Sequence, residues 1–122
     1  MTENSDRRGA QDAVLAGFTV YAESPWLLHL AGELDVVASS ALTTALEARA
    51  RRGGTIGLDL AELTFMDSTG VKAIGNAAQL LGERGRIIAF HPRPSIRRVI
   101  EISGIANLID IDDDPSPPEP SN

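Results

Sequence analysis

The chain has 122 residues, of which 43% are apolar and 4% aromatic, and its formal charge is −6. This length fits one domain with a core of Leu, Ile, Val and Ala. The absence of cysteine excludes disulfide bonds, thiolate chemistry and cysteine-based metal sites. No apolar run reaches the length of a membrane-spanning helix, and the polar first residues lack the apolar stretch of a signal peptide. We therefore expect a cytoplasmic protein that does not bind membranes.

The negative charge is concentrated at the C-terminus. Of 17 acidic and 11 basic residues, residues 110–122 hold five acids and no base, so residues 1–109 carry 12 acids and 11 bases, a net charge of −1. We expect a flexible N-terminus over residues 1–14, one folded domain over 15–111 and an acidic, proline-rich, disordered tail over 112–122. A nearly neutral domain gives no electrostatic reason to bind nucleic acid.

The N-terminal half of the domain predicts two strands, a helix and a third strand. The alternation of apolar and polar residues indicates the strands, and a glycine pair after residue 52 ends the helix. The helix could also begin at Ser39 or Ser40, because Ala38 is a poor N-cap. In order, the four elements span Phe18–Tyr21, Trp26–Ala31, Ala38–Arg51 and Thr55–Leu60.

The C-terminal half predicts two further helix–strand pairs. They span Thr69–Leu81, Arg86–Phe90, Ser95–Ile102 and Leu108–Ile111. Consecutive β-α-β units favour parallel neighbouring strands and right-handed connections. The expected fold is therefore α/β, with a mixed sheet of four to five strands and helices packed against it.

The most informative segment is the polar step Asp67–Gly70, between a buried strand and a helix. It places a hydroxyl and a carboxylate at a helix N-terminus, where backbone N–H groups and the helix dipole favour a phosphate. Residues of these types also act as ordinary N-caps, each worth about 1 kcal/mol. From the residues alone, Ser68 is an N-cap, a phosphate acceptor or a nucleophile.

The sequence does not contain the other residues that a catalytic site at Asp67–Gly70 would need. A serine hydrolase needs a histidine base, but the chain has only His29, predicted within a strand, and His91, at a strand end. No His, Asp or Glu group has metal-ligand spacing, and no glycine-rich loop with a lysine could cradle a phosphate. We therefore expect no enzyme activity, no metal and no cofactor, so a kinase acting on Ser68 must be another protein.

Three segments resemble the STAS domain of bacterial anti-sigma factor antagonists, and they occur in that family's order. They are Gly32–Asp35, Leu58–Val71 and Ile102–Ile105. The run Phe-Met-Asp-Ser-Thr-Gly within the second segment is the specific signal, while the other two are supportive. The similarity spans roughly residues 15–111. It implies a STAS-like α/β fold in a single domain.

The resemblance also implies a switch between partners that regulates transcription, including stress responses. In this family the unphosphorylated antagonist captures an anti-sigma factor and frees a sigma factor for RNA polymerase. The anti-sigma factor is a kinase for the serine after the aspartate, here Ser68 with Thr69 as second candidate, and a PP2C-type phosphatase resets it. The family's binding surface corresponds to Glu33, Asp35, Met66, Asp67, Thr69, Gly70 and Lys72.

Three alternatives remain open. The chain could be a STAS subunit of another assembly, such as a lipid-transport complex or a stress-signalling scaffold, without phosphorylation of Ser68. It could be a small hydrolase with Ser68 as nucleophile. Weak nucleotide binding at the start of the same helix is also compatible with the backbone. Related domains often have a further helix after the last strand, where this chain has its acidic tail.

Overall fold

The chain forms an α/β domain with six strands and three α-helices in the computed structural model, which describes residues 11–15 and 17–112. The strands are β1 (Gln11–Leu15), β2 (Phe18–Ala22), β3 (Leu27–Leu34), β4 (Gly54–Met66), β5 (Gly85–Phe90) and β6 (Asp110–Asp112). The helices are α1 (Val36–Arg52), α2 (Ser68–Leu81) and α3 (Pro94–Ser103). None of these helices combines the length and apolar character needed to cross a membrane.

All six strands form one mixed sheet, in the same order as along the chain. β1, β2 and β3 are antiparallel neighbours, whereas β3 to β6 run parallel. Each helix connects two adjacent parallel strands, and right-handed crossovers that step in one direction place all three helices on the same face. The α/β prediction is confirmed, but the predicted number of four to five strands is too low.

The additional strand is β1, which begins inside the segment predicted to be a flexible N-terminus. It pairs antiparallel with β2 across a turn at Gly17. Its sequence, Gln-Asp-Ala-Val-Leu, has no alternation of apolar and polar residues, so periodicity did not indicate a strand there. Residues 1–10 and the predicted tail from residue 113 onwards lie outside the described residues.

Three other predicted boundaries are also corrected. Helix α1 begins at Val36, before the predicted start at Ala38, Ser39 or Ser40. Strand β4 continues to Met66, well beyond the predicted end at Leu60. The last strand is shifted toward the C-terminus, so Asp112 belongs to the sheet.

The core lies between the helices and one face of the sheet. Along β4, Ile56, Leu58 and Leu60 are fully buried in it, while the intervening Asp59 lies on the opposite face. Beyond Asp59 the pairing of β4 with β3 shifts twice, which gives β4 two extra residues. Such β-bulges reset the alternation, so the core-facing residues continue at a spacing of three, with Leu63 and then Met66.

Gly32 holds the end of β3 against the hairpin between β1 and β2. Its φ is +96°, and a Cβ at this position would lie 2.0 Å from the carbonyl oxygen of Gly17. The same oxygen accepts a hydrogen bond of 2.7 Å from the backbone N–H of Glu33. Backbone geometry therefore requires glycine at the first position of the Gly-Glu-Leu-Asp segment.

Gly32→Ala should lower the free energy of unfolding by about 3 kcal/mol, because left-handed strain of about 1–2 kcal/mol adds to a backbone clash. Gly17→Ala is the matched control: its φ is +88°, but among the described residues beyond its chain neighbours no atom lies within 4 Å of the position of its Cβ. It should therefore lose only the strain component. Urea unfolding of both variants measures the difference, and equal losses would contradict the close approach of Gly32 to Gly17.

Candidate functional site

Strands β3 and β4 end side by side, which brings two distant sequence segments together. Leu34 at the end of β3 pairs with Met66 at the end of β4. The backbone N–H of Asp67 donates a hydrogen bond of 3.3 Å to the carbonyl of Leu34. The Gly-Glu-Leu-Asp and Asp-Ser-Thr-Gly segments therefore meet at the C-terminal edge of the parallel strands.

An aspartate follows each of these strands and caps the next helix. Asp35 has φ −100° and ψ −168°, and Asp67 has nearly the same values, −103° and −172°. Oδ1 of Asp35 accepts the N–H groups of Val37 and Ala38 at 3.1 and 2.9 Å. These bonds satisfy N–H groups that the helix itself leaves free, and for that reason α1 begins at Val36.

The Asp67 cap separates the roles of the two hydroxyl residues that follow it. Oδ1 of Asp67 accepts the N–H groups of Thr69 and Gly70 at 2.9 and 3.3 Å. The Thr69 hydroxyl donates to the same oxygen at 2.5 Å, and its side chain is partly buried. Ser68 is exposed, and its hydroxyl forms no hydrogen bond with any residue that the structure describes. Ser68 therefore offers the accessible hydroxyl.

The cap also keeps Asp67 charged. The hydrogen bond from the Thr69 hydroxyl is the largest cause that lowers the pKa of the Asp67 carboxyl. Partial burial acts in the opposite direction, and the N–H groups of Gly70 and Thr69 lower the pKa further. A modification of Ser68 would therefore take place beside a fixed negative charge.

Comparison with known proteins identifies the family. A family model described as "Mlab, STAS domain" matches residues 18–110. The chain belongs to the STAS domain family. The anti-sigma-B factor antagonist of Listeria monocytogenes is 30% identical over 86 residues, which make up 69% of this chain and 75% of that protein. The resemblance to anti-sigma factor antagonists is thus confirmed.

Two solved structures of the anti-sigma factor antagonist SpoIIAA are similar to this STAS domain. The unphosphorylated form gives a TM-score of 0.63 at 25% identity, over 80% of this chain and 89% of that chain. The phosphorylated form, from Bacillus, gives a TM-score of 0.59 at 25% identity, over 80% of this chain and 92% of that chain.

The predicted binding residues of the STAS domain differ in accessibility. Glu33 and Lys72 are exposed, whereas Asp35, Asp67 and Thr69 are partly buried. The other two predicted residues, Met66 and Gly70, are buried. A Cβ on Gly70 would lie 2.8 Å from the Leu34 side chain, so α2 approaches the end of β3 closely there. Met66 and Gly70 therefore support the site from beneath, and their contact with a partner remains a prediction.

Three exposed apolar side chains at this edge were not among the predicted site residues. Val36 and Val37, in the first turn of α1, are 62% and 66% exposed, and Phe65 is 47% exposed. Phe65 pairs with Glu33 across β3 and β4, so it lies beside the Asp35 and Asp67 caps. The sequence feature that could have indicated this apolar patch is the pair of valines directly after a capping aspartate. At that position the two side chains have no contact with the core.

The two histidines of the chain lie far from Ser68. The Nδ1 atoms of His29 and His91 are 3.2 and 3.9 Å from the carboxylate of Asp59, and His29 also pairs with Glu23. Asp59 precedes Met66 by seven strand residues, a distance of about 20 Å at the rise of a β-strand. This separation leaves Ser68 without the histidine base that a hydrolase requires. Among the described residues, no group of three or more His, Asp and Glu side chains could hold a metal ion.

Thr69→Val should raise the pKa of Asp67 toward the ordinary value of an aspartate, because it removes the hydroxyl that most strongly favours the carboxylate. A folded-state pKa below the unfolded one contributes stability at neutral pH, and acidification through the folded-state pKa removes that contribution. The stability difference between wild type and Thr69→Val should therefore shrink as the pH falls. NMR titration of the Asp67 carboxyl carbon measures the pKa. Thr69→Ser is the control that retains a donor, and an unchanged pKa in Thr69→Val would contradict the assignment.

Proposed function

We propose that this STAS domain is a cytoplasmic anti-sigma factor antagonist that binds an anti-sigma factor while Ser68 is unphosphorylated. Its binding releases a sigma factor for transcription. The observation that carries this proposal is the exposed hydroxyl of Ser68 at the start of α2, beside the Asp67 cap. The relatives named as antagonists support it, as do the unphosphorylated and phosphorylated structures of SpoIIAA.

The proposed docking surface consists of Glu33, Val36, Val37, Phe65, Ser68 and Lys72, all of which are exposed. It combines three apolar side chains with charged residues of both signs. Apolar residues at the centre of an interface and polar residues at its rim are the usual arrangement in protein complexes. Ser68 lies within this surface, so a change in its charge would act directly on binding.

Phosphorylation of Ser68 would release the partner through local electrostatics. A phosphate adds about −1.5 to −2 charges at neutral pH, close to the carboxylate of Asp67. The helix dipole tolerates a negative charge at the N-terminus of α2, so the domain itself need not change its fold. A loss of about 3 kcal/mol in binding would weaken the complex more than about a hundredfold, which is sufficient for a switch.

The kinase in this proposal is the anti-sigma factor itself, and a PP2C-type phosphatase restores the hydroxyl. The antagonist supplies only the acceptor, since its sequence contains no glycine-rich loop with a lysine to hold a nucleotide. Thr69 is the weaker acceptor because its hydroxyl is bonded to Asp67.

A STAS subunit of a different assembly is the second candidate function, since the matching family model carries the name Mlab. In such an assembly the partner would bind independently of the charge at Ser68. The Ser68 variants described next therefore distinguish the two candidates.

Ser68→Ala should remain bound to the anti-sigma kinase in the presence of ATP, whereas Ser68→Asp should bind at least about tenfold more weakly, a loss of about 1.4 kcal/mol. Both variants should keep the stability of the wild type because Ser68 is exposed. Co-purification and calorimetry with the kinase encoded nearest to this gene measure binding, and phosphopeptide mapping identifies the acceptor.

Ser95→Ala is the matched control for this experiment. Ser95 is also an exposed serine in the first turn of a helix, but it belongs to α3. Its loss should change neither phosphorylation nor release. A phosphopeptide that excludes Ser68 would refute the phosphorylation switch, and equal binding of Ser68→Ala and Ser68→Asp would favour the other assembly.

Phe65→Ala should weaken binding of the anti-sigma factor by about tenfold, because large apolar side chains at an interface centre contribute about 1–2 kcal/mol or more. Ile102→Ala is its control, since Ile102 is 76% exposed on α3, outside the proposed docking surface. Calorimetry should show a loss for Phe65→Ala alone. A similar loss in both variants would place the interface elsewhere.

A further inference from the structure

The second turn of α2 carries a cation that the helix itself does not use. Lys72 is the only lysine in the chain and the only charged residue of α2. It is exposed, and it forms no hydrogen bond or ion pair with any residue that the structure describes. The helix dipole favours cations near the C-terminus of a helix, so Lys72 gains nothing from the dipole. Nothing in the described fold therefore requires a positive charge at this position.

Lys72 lies one turn after Ser68 on the same exposed face of α2. Residues four apart on a helix have Cβ atoms about 5–6 Å apart, so their side chains can pair. The other residues three or four positions away from this lysine are uncharged; they are Thr69, Gly75 and Asn76. With Ser68 unmodified, no anion lies within reach of Lys72 along α2.

The other two α-helices show the pairing that this spacing allows. In α1, the guanidinium of Arg51 lies 3.7 Å from the carboxylate of Glu47, four residues earlier. In α3, Nε of Arg97 lies 2.9 Å from the carboxylate of Glu101, four residues later. In α2 the position four residues before the cation holds Ser68, which becomes an anion only when it is phosphorylated. An acid on the N-terminal side of the cation is the more favourable order on a helix.

The carboxylates at this edge of the sheet do not bind Lys72. Asp35 and Asp67 cap α1 and α2, and Glu33 lies near the end of β3. None of these three side chains forms an ion pair with Lys72. A phosphate on Ser68 would be repelled by the Asp67 carboxylate behind it and attracted by the ammonium one turn ahead. An outward-pointing phosphate therefore has its counter-ion on the same helix.

We propose that Lys72 binds the phosphate of phosphorylated Ser68 across one turn of α2 and is thereby withdrawn from the docking surface. This inference rests on the proposed function, in which Ser68 is the acceptor. Lys72 is the only cation of the proposed docking surface, and Glu33 is its only acid. In the unphosphorylated form, Lys72 is available to an acidic group of the anti-sigma factor. Phosphorylation thus acts twice, because it adds negative charge and also occupies the cation.

The contact with the phosphate can be measured without any partner. Phosphoserine is encoded at position 68 of the full chain, and phosphorus NMR follows the second ionisation of its phosphate, which takes place near neutral pH. A nearby cation favours the doubly charged form, so the pKa of this phosphate should be lower in the wild type than in Lys72→Met. The acid dissociation constant should differ by about twofold, as expected for one pair at this spacing. Because the chain has one lysine, carbon-labelled lysine gives one side-chain signal, which should shift with the same midpoint.

Two further variants control for the position of the charge. Lys72→Arg keeps a cation four residues from Ser68 and should keep the pKa of the phosphate low. The double variant Lys72→Met, Asn76→Lys moves the cation to an exposed position that lies about 12 Å along the helix axis from Ser68. It has the net charge of the wild type but should behave like Lys72→Met, because exposed charges at that distance are largely screened at physiological salt. Circular dichroism confirms that each variant is folded. The proposal is overturned if the phosphate has the same pKa in the wild type and Lys72→Met, or if the double variant restores the low value.

The effect on the partner is measured by calorimetry with the anti-sigma factor, for chains with serine or phosphoserine at position 68. Unphosphorylated Lys72→Met should bind at least about twofold more weakly than the wild type, since it lacks one exposed charge pair. The factor by which phosphorylation weakens binding should also be at least about twofold smaller in Lys72→Met, because one ammonium cannot pair fully with both the phosphate and the partner. Lys72→Arg should restore both values.

The two proposals fail in different ways. If phosphorylation weakens binding by the same factor in the wild type and Lys72→Met, Lys72 has no part in the switch and this inference is overturned. If phosphorylation leaves the binding of the wild type unchanged, the proposed function is refuted. The phosphate measurement does not depend on that result, because it involves neither the kinase nor the anti-sigma factor.

Discussion

Two aspartates that end neighbouring parallel strands determine the geometry of the proposed functional end of this domain. Asp35 and Asp67 adopt almost the same backbone conformation, and each accepts two N–H groups of the helix that follows. Because Leu34 pairs with Met66, the two caps lie side by side. α1 and α2 therefore start together at one edge of the sheet, which puts the exposed valines of α1 beside Ser68.

The Asp67 cap also bears on how a phosphate could act. The N–H groups of Thr69 and Gly70 would otherwise be the natural ligands of a phosphate at this helix start, but the Asp67 carboxylate already accepts them. A phosphate on Ser68 would have to displace that carboxylate or point outward. Outward is the arrangement that preserves the cap, so the added charge would meet the partner and leave the fold unchanged.

The sequence predicted the helices and strands whose apolar residues recur at one regular spacing, and it missed or shortened those whose apolar residues do not. The α/β class, the three helices and the position of Ser68 followed from periodicity, capping residues and the Asp-Ser-Thr-Gly step. The predicted strand ended at Leu60, whereas β4 continues to Met66. Two β-bulges place its later core residues, Leu63 and Met66, three residues apart, and this spacing is typical of a helix. Burial decided which site residues face outward, and a linear motif carries no such information. Met66 and Gly70 therefore belong to the motif, but both are buried in the folded domain.

The net charge of the domain does not show how charge is distributed along α1. Residues 1–109 are nearly neutral, yet α1 begins at an acidic cap and carries three arginines in its last turn. This polarity stabilises any helix, because its dipole favours anions at the N-terminus and cations at the C-terminus. In this domain Arg84, from outside α1, already binds the last carbonyls. The charge of Arg52 then exceeds what the helix needs, and it lines a cavity that has an aromatic wall. The same sequence pattern that fixes α1 across the sheet thus places an acidic cap at one end of the helix and a group of arginines at the other.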